Sequence, residues 1–301
     1  MITSPPLTQG DQVVLIAPGR KIDEQSVQIA KQVLESWGLS VKTSNNLFTS
    51  HHSYFSASDE ARLEDLQNAI NDPSVKAIIC ARGGYGTTRI LDRLSLDAMQ
   101  KSPKWIVGFS DITALHFKLF KNQIKSIHGL MPVMFGASDS TLSLESLRRA
   151  LFGNTVEVLF PSVDTAESSS VTGTVVGGNL SLLVDSLGTP SEINTDNTIL
   201  VLEEVDEYLY RVDRMFVQLN RAGKLKNLAA LVVGHFNDLK DSLQPFGESY
   251  EEIISSHTSN HGYPVAFNFP SGHQNPNISW IHGGEATLTI EKHHSTLKYK
   301  T

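Results

Sequence analysis

A single cysteine, Cys80, stands among the 301 residues, which excludes an internal disulfide and a thiolate zinc cluster. It lies inside the apolar run Ala77 to Ala81, a setting that predicts burial rather than reactivity. No apolar stretch reaches the roughly 18 residues that a bilayer-spanning helix needs. Met1 to Asp11 shows no basic segment followed by an apolar run, so the expected location is cytoplasmic, with no membrane partner. Positive charge is also scarce: 25 Lys and Arg against 32 Asp and Glu give a formal charge of -7 and a pI near 5.9. Neutralising phosphates requires a clustered excess of Lys and Arg, so nucleic acid is excluded as a partner.

What is present is the balance of a globular protein, 40% hydrophobic and 19% charged. A chain of 301 residues exceeds the usual single domain, so two are expected. The first half alternates strand-like and helix-like segments, the pattern of a parallel sheet flanked by helices. Val13 to Ala17 is a continuous apolar run ending in Pro18-Gly19, which predicts a buried strand entering a turn. Ser26 to Trp37 places Val27, Ala30, Val33, Leu34 and Trp37 at helical spacing, and Gly38 ends it. A strand over Leu39 to Thr43, a polar loop over Asn45 to Ser56, and a helix over Ser58 to Asn71 capped by Ser58 follow. Further along come a strand over Val75 to Ala81, the glycine-rich turn Arg82 to Gly86 and a helix over Thr87 to Leu94. Trp105 to Gly108 and Ile112 to Phe120 read as the next strand and helix.

The Ser/Thr/Asp-rich stretch Ser162 to Thr172 suits a linker, which divides the chain into an N-terminal α/β domain, 1–160, and a C-terminal domain, 171–301. In the second half, Ile199 to Leu202, Leu228 to Val233, Val265 to Phe269 and Ala286 to Ile290 read as strands. Arg211 to Ala222 reads as a helix with the apolar stripe Val212, Met215, Phe216 and Leu219.

Gly108-Phe109-Ser110-Asp111 joins a buried strand directly to a helix. Such a junction can expose Ser110 on a sharp turn beside the free amides of a helix N-terminus, which is how a nucleophile elbow works. Ile112 stands where G-x-S-x-G has its second glycine, and Ser110 as a plain helix cap fits the spacing equally well. A serine nucleophile needs a histidine base and an orienting carboxylate. Of eleven histidines, His51, His52, His293 and His294 lie in polar segments, and His116 fits an ordinary place on the helix after Ser110. His235 and His273 both follow strands and compete as bases. Glu203-Glu204-Val205-Asp206-Glu207 follows an apolar strand and can be a solvated charge run, the source of the carboxylate, or a metal ligand, although no metal-binding spacing accompanies it. The turn Arg82 to Gly86 lacks the Lys-Ser/Thr of a phosphate loop and the spacing of G-x-G-x-x-G.

Together, and in this order, Ala81-Arg82-Gly83-Gly84-Tyr85-Gly86, Gly108 to Leu115, Gly177-Gly178-Asn179-Leu180, Leu202-Glu203-Glu204, Tyr210 to Met215 and Gly272-His273 resemble the LD-carboxypeptidase family over nearly the whole chain. The resemblance implies a flavodoxin-like parallel-sheet N-terminal domain carrying the serine and a smaller β-rich C-terminal domain carrying Glu and His. It implies a triad in which Ser110 attacks, His273 is base and then acid, and Glu203 holds the imidazole, being the first carboxylate after the family's strand. It further implies an oxyanion hole from amides near Gly84 and Asp111, with Asn179 among the oxyanion or substrate-binding residues, an active site between domains, a homodimer, and neither metal nor cofactor. The implied substrate is a murein tetrapeptide, losing its terminal D-alanine in peptidoglycan recycling. A related branch cleaves a microcin-type peptidyl nucleotide for self-immunity, and the lack of a long aromatic insertion before Gly177 favours the cell-wall branch. Departures from the family pattern include Gly19, where a serine often follows the family's Ala-Pro. Two readings from other classes are an α/β-type esterase, weakened by Ile112, and a non-catalytic small-ligand binding module, which usually needs export.

Overall fold

The computed structural model describes residues 1–49, 54–162 and 168–300. His51, His52 and the 163–167 part of the expected linker lie outside the described residues. The chain forms two compact units, Met1–Val156 with Pro276–Gly283, and Glu157–Asn275 with Gly284–Thr301.

The first unit is a six-stranded sheet with helices. Strand β1 (Gln12–Ile16) leads to α1 (Glu24–Ser36), whose first turn is capped by Asp23, the acceptor for the Ser26 amide at 2.8 Å. Next come β2 (Ser40–Thr43), α2 (Asp59–Asn71) and β3 (Val75–Cys80). Ser58 caps α2 as the sequence predicts. The helix expected over Thr87 to Leu94 is only one turn, α3 (Thr88–Leu91), with α4 (Asp97–Lys101) after it. Between them the Gln67 side chain accepts from the Ser95 amide at 2.9 Å and donates to its carbonyl at 3.1 Å, taking both groups that a continuing helix would use. Strand β4 (Trp105–Gly108), α5 (Thr113–Lys121), β5 (Ser126–His128) and α6 (Thr141–Leu151) complete the N-terminal run.

The sheet order is β2-β1-β3-β4-β5, all parallel, the flavodoxin-like arrangement. A late segment, Trp280–His282, adds antiparallel to β5 at the edge, an element with no signal in its three residues. Val13, Leu15, Ala77, Ile79 and Val107 are buried in the core, which is why these strands read as unbroken apolar runs. Cys80 is fully buried and burial pushes its thiol pKa up, so it stays protonated and inert.

The second unit holds the remaining strands. They are β6 (Glu157–Pro161), β7 (Ser169–Asn179), β8 (Thr198–Val205), β9 (Ala230–Asn237), β10 (Val265–Ala266) and, following Trp280–His282 as β11, β12 (Glu285–Ile290) and β13 (His294–Tyr299). The order is β10-β9-β8-β7-β12-β13-β6, parallel from β10 to β7 and antiparallel beyond. Ser169 to Thr172, expected in the linker, are strand residues paired to β12, where alternate Ser and Thr hydroxyls meet across the ladder. The helices are α7 (Leu180–Asp185), α8 (Leu209–Arg221) and α9 (Tyr250–Thr258), and the predicted stripe of α8 is buried. The strand expected over Val265 to Phe269 stops at Ala266 because Asn268 takes a left-handed backbone, φ 65°, and Pro270 has no amide to offer.

Candidate active site

Ser110 opens a turn of 3-10 helix, Ser110–Ile112, between β4 and α5. Its φ of 61° is left-handed, a conformation that costs a β-carbon residue roughly 1–3 kcal/mol and persists where the surroundings enforce it. The cap positions belong to Phe109 for the turn and Ile112 for α5, neither with a side-chain cap bond, so Ser110 is not a helix cap. Ile112 is fully buried, and a Cβ on Gly108 would lie 2.8 Å from its Cγ1. The elbow thus packs one large residue against one glycine instead of using two glycines. Beneath it, His116 is fully buried; its Nε2 lies 2.9 Å from the Gly108 carbonyl and its Nδ1 2.7 Å from Ser126 Oγ. Burial pulls its pKa down to about 4, so the neutral ring donates to the carbonyl and accepts from the hydroxyl, a bracing role the sequence did not reveal.

The glycine-rich turn after β3 runs against this elbow. A Cβ on Gly83 would lie 2.9 Å from Ser110 Cβ and 3.0 Å from its Oγ, so only glycine lets the backbone come this close. Gly84, at φ 105°, is equally constrained, since its Cβ would lie 2.9 Å from Arg20 Cβ. Arg62, fully buried, ties the turn down: its guanidinium donates to the carbonyls of Gly86, at 2.9 Å, and Pro18, and pairs with Asp59. Arg62→Met is expected to lower the unfolding free energy by about 3 kcal/mol, the low end for breaking a buried ion pair because Arg89 still pairs with Asp59. Denaturant titration checks this. A change within 0.5 kcal/mol would show that the turn holds itself.

The Asp111 side chain is buried and accepts from Thr87 N at 2.9 Å and Thr87 Oγ1 at 2.7 Å. Burial raises its pKa, opposed by the bonds from Thr87 and the Gly86 amide. A Cβ on Gly19 would lie 2.8 Å from Asp111 Oδ2, which explains glycine at that departure from the family pattern.

In the second unit, Glu203 and Glu204 are both buried within β8, which overturns the solvated charge run for these two residues. An irregularity between Leu202 and Glu204 in the pairing with β9 breaks the simple alternation of faces there. Glu204 accepts from Asn179 Nδ2 at 3.0 Å, Ser181 N at 2.9 Å, Ser181 Oγ at 2.6 Å and Val205 N at 2.9 Å. Burial raises its pKa, and the charge of Glu203 adds to this while the Ser181 bond opposes it. Glu203 turns instead to His273, with Oε2 and Nδ1 2.8 Å apart.

His273 keeps 20% of its side chain exposed. Burial works against its charged form, but the Glu203 charge and hydrogen bond outweigh it, with Glu204 and Asp238 adding, so its pKa lies above the ordinary 6.5. His235 stands nearby: a Cβ on Gly272 would lie 3.1 Å from both Glu203 Cβ and His235 Cβ. Burial lowers the His235 pKa against the pull of Glu203. The hydrogen bond to Glu203, however, belongs to His273. Asn179 ends β7 and caps α7, its Oδ1 accepting from Leu182 N at 3.3 Å. Among the described residues no group of three or more His, Cys, Asp or Glu is placed to hold a metal ion, and no helix is long and apolar enough to cross a membrane.

A strained serine in one unit and a carboxylate-bound histidine in the other are the groups of a serine hydrolase, and comparison with known proteins gives the family. The model of the LD-carboxypeptidase N-terminal domain matches residues 13–129 and that of the LD-carboxypeptidase C-terminal domain matches residues 172–288. The chain belongs to the LD-carboxypeptidase family. It is 35% identical over 293 residues to the "Probable murein peptide carboxypeptidase" of Bacillus subtilis (strain 168), covering 95% of this chain and 91% of the relative. The crystal structure of muramoyltetrapeptide carboxypeptidase from Oxalobacter formigenes superposes with a TM-score of 0.88 at 32% identity, covering 96% of this chain and 99% of that one. The microcin C7 self immunity protein MccF, solved with aspartyl sulfamoyl adenosine, shares the fold, with a TM-score of 0.87 at 18% identity over 100% of this chain and 99% of that one.

Proposed function

We propose that this chain is a serine carboxypeptidase that hydrolyses the bond between the L-centre of diaminopimelate and the terminal D-alanine of murein tetrapeptides, acting in the cytoplasm, as a homodimer, in peptidoglycan recycling. The names of its relatives support the substrate class. The observation that carries the serine mechanism is the left-handed backbone of Ser110 at the carboxyl end of β4, strain of the kind kept at an elbow.

In this reading Ser110 Oγ attacks the peptide carbonyl carbon and its proton passes to His273 Nε2. The bond from His273 Nδ1 to Glu203 sets the tautomer, with Nδ1 carrying the hydrogen and Nε2 the lone pair. Amides near Gly84 and Asp111 stabilise the oxyanion. The imidazolium then protonates the leaving D-alanine nitrogen, and water, activated by the same ring, hydrolyses the acyl-enzyme. Asn179 acts through Glu204, which it holds at the end of the strand that carries the acid.

The test is incubation with a murein tetrapeptide and detection of released D-alanine by mass; cleavage of an aminoacyl-sulfamoyl nucleotide instead would move the chain to the microcin branch. No step uses a metal, so turnover in chelator should match turnover without it. A loss restored by zinc would return the acidic run to consideration as ligands.

The base must be neutral to accept a proton, and a raised pKa means His273 loses its own proton only above pH 6.5. The acid limb of kcat/KM is therefore expected above pH 6.5, and Glu203→Gln should move it to lower pH by removing the charge that holds the proton. A limb that stays in place would separate His273 from the rate.

A further inference from the structure

The strand order β2-β1-β3-β4-β5 reverses direction between β1 and β3, and in open α/β sheets ligands settle outside the carboxyl ends of the strands at such a point. Two arginines stand there. Arg20 is carried by the loop after β1 and Arg82 by the turn after β3. Arg82 Nη1 reaches to 3.5 Å from the carbonyl of Lys21, the neighbour of Arg20, and Arg20 Cβ packs against Gly84 so closely that a Cβ there would lie 2.9 Å away. The same turn touches Ser110 through Gly83, so two residues of backbone separate the elbow from Arg20.

Neither guanidinium has a carboxylate partner among the described residues, whereas Arg62 and Arg89 of the same unit share Asp59. The closest acid in sequence, Asp23, spends its carboxylate on the Ser26 amide at 2.8 Å and hydroxyl at 2.7 Å. The Arg20 guanidinium carbon lies over the Tyr54 ring, 5.1 Å from its centroid, a stacking that holds the head in place. Burial and the charge of Arg20 both lower the Arg82 pKa, so the two cations repel, a cost that an anion between them would relieve. An arginine fork matches a carboxylate bidentately.

We propose that Arg20 and Arg82 form the subsite that grips a carboxylate of the substrate peptide beside Ser110, an inference that rests on the carboxypeptidase reading above. A peptidase that removes only the last residue must recognise the chain end, and these are cations without an ion-paired carboxylate next to the elbow, the charge of Asp23 reaching Arg82 only as the weakest of the influences on it. On either side of the scissile bond a murein tetrapeptide offers a carboxylate of this chemistry, the terminal one of D-alanine and the side-chain one of diaminopimelate.

The experiment measures D-alanine release by the wild type, Arg20→Gln, Arg82→Gln and Arg20→Lys, together with calorimetric binding in a Ser110→Ala background, so that peptide is not consumed. The peptides are the tetrapeptide acid, its C-terminal amide, and a tetrapeptide with lysine in place of diaminopimelate. Each Gln variant is expected to weaken binding of the acid by about 10- to 100-fold, the range of a charge-assisted hydrogen bond, with kcat changed only a few-fold and Arg20→Lys partly restored. Collapse of the acid-to-amide preference in the Gln variants assigns the terminal carboxylate, and collapse of the diaminopimelate-to-lysine preference assigns the side-chain one. Both preferences unchanged in folded variants, judged by thermal melting, overturn the subsite. A carboxylate preference lost in the variants, from a wild type that releases no D-alanine, overturns the peptidase reading and leaves the subsite standing.

Discussion

Ser110→Ala is expected to stop D-alanine release, with kcat falling by a factor on the order of 10⁶, while the protein stays as stable as the parent. The size of the loss follows from covalent catalysis: without Oγ no acyl-enzyme forms, and base and acid have nothing to act on. The lack of a stability cost follows from the backbone. At φ 61° serine and alanine carry the same β-carbon strain, so exchanging them leaves it in place. Ser110→Gly separates the two effects, since it is equally inactive but relieves the strain, and it should raise the unfolding free energy by about 1 kcal/mol. An active-site residue held against its conformational preference gives this pair of results, inactivation with stabilisation. Near-normal turnover by Ser110→Ala would remove the serine mechanism, and an unstable Ser110→Gly would show that the left-handed turn is not a stored cost.

The parallel half of the fold was legible because its central strands, β1, β3 and β4, are largely buried on both faces. Val13 to Ala17 carries no polar residue, and in Val75 to Ala81 the single polar residue, Lys76, is exposed near the start of the run. Sheet order was not legible, because strand sequences carry no record of their neighbours; the order around β1 and β3 came only with the structure. Trp280–His282 was invisible for a related reason: a three-residue edge strand pairs through its backbone with a strand far away in sequence. In the site, the junction at Gly108-Phe109-Ser110 pointed to an elbow, but φ is a property of the folded backbone, so the left-handed turn at Ser110 could not be read beforehand. Glu203 and Glu204 are chemically identical in sequence. Only their partners separate them, one bound to His273 and the other to Asn179 and Ser181. His116 was undetectable for the same reason, since its bracing of Gly108 needs the fold to bring helix and strand together.

The two glutamates give the second large effect, and they should fail in different ways. Glu203→Gln removes the charge that orients His273 and stabilises its imidazolium, so KM should stay within a few-fold while kcat falls by a factor on the order of 10⁴. His273→Ala removes the base itself and should cost at least as much. The Glu203→Gln/His273→Ala double variant should be little slower than His273→Ala, because the acid has nothing to orient once the ring is gone. Glu204→Gln has the opposite profile. That carboxylate accepts four hydrogen bonds from the protein, and an amide would present a donor to at least one of those donors, leaving a buried group unsatisfied. A loss of about 1–3 kcal/mol in unfolding free energy is expected there, with turnover per folded molecule close to normal. Steady-state kinetics on all four variants, normalised to folded protein by denaturant titration, decides between the assignments. A 10⁴-fold loss at Glu204 with Glu203 nearly neutral would move the acid by one residue, and fully multiplicative losses at Glu203 and His273 would mean that their hydrogen bond is structural and that the base lies elsewhere, with His235 the next residue to change.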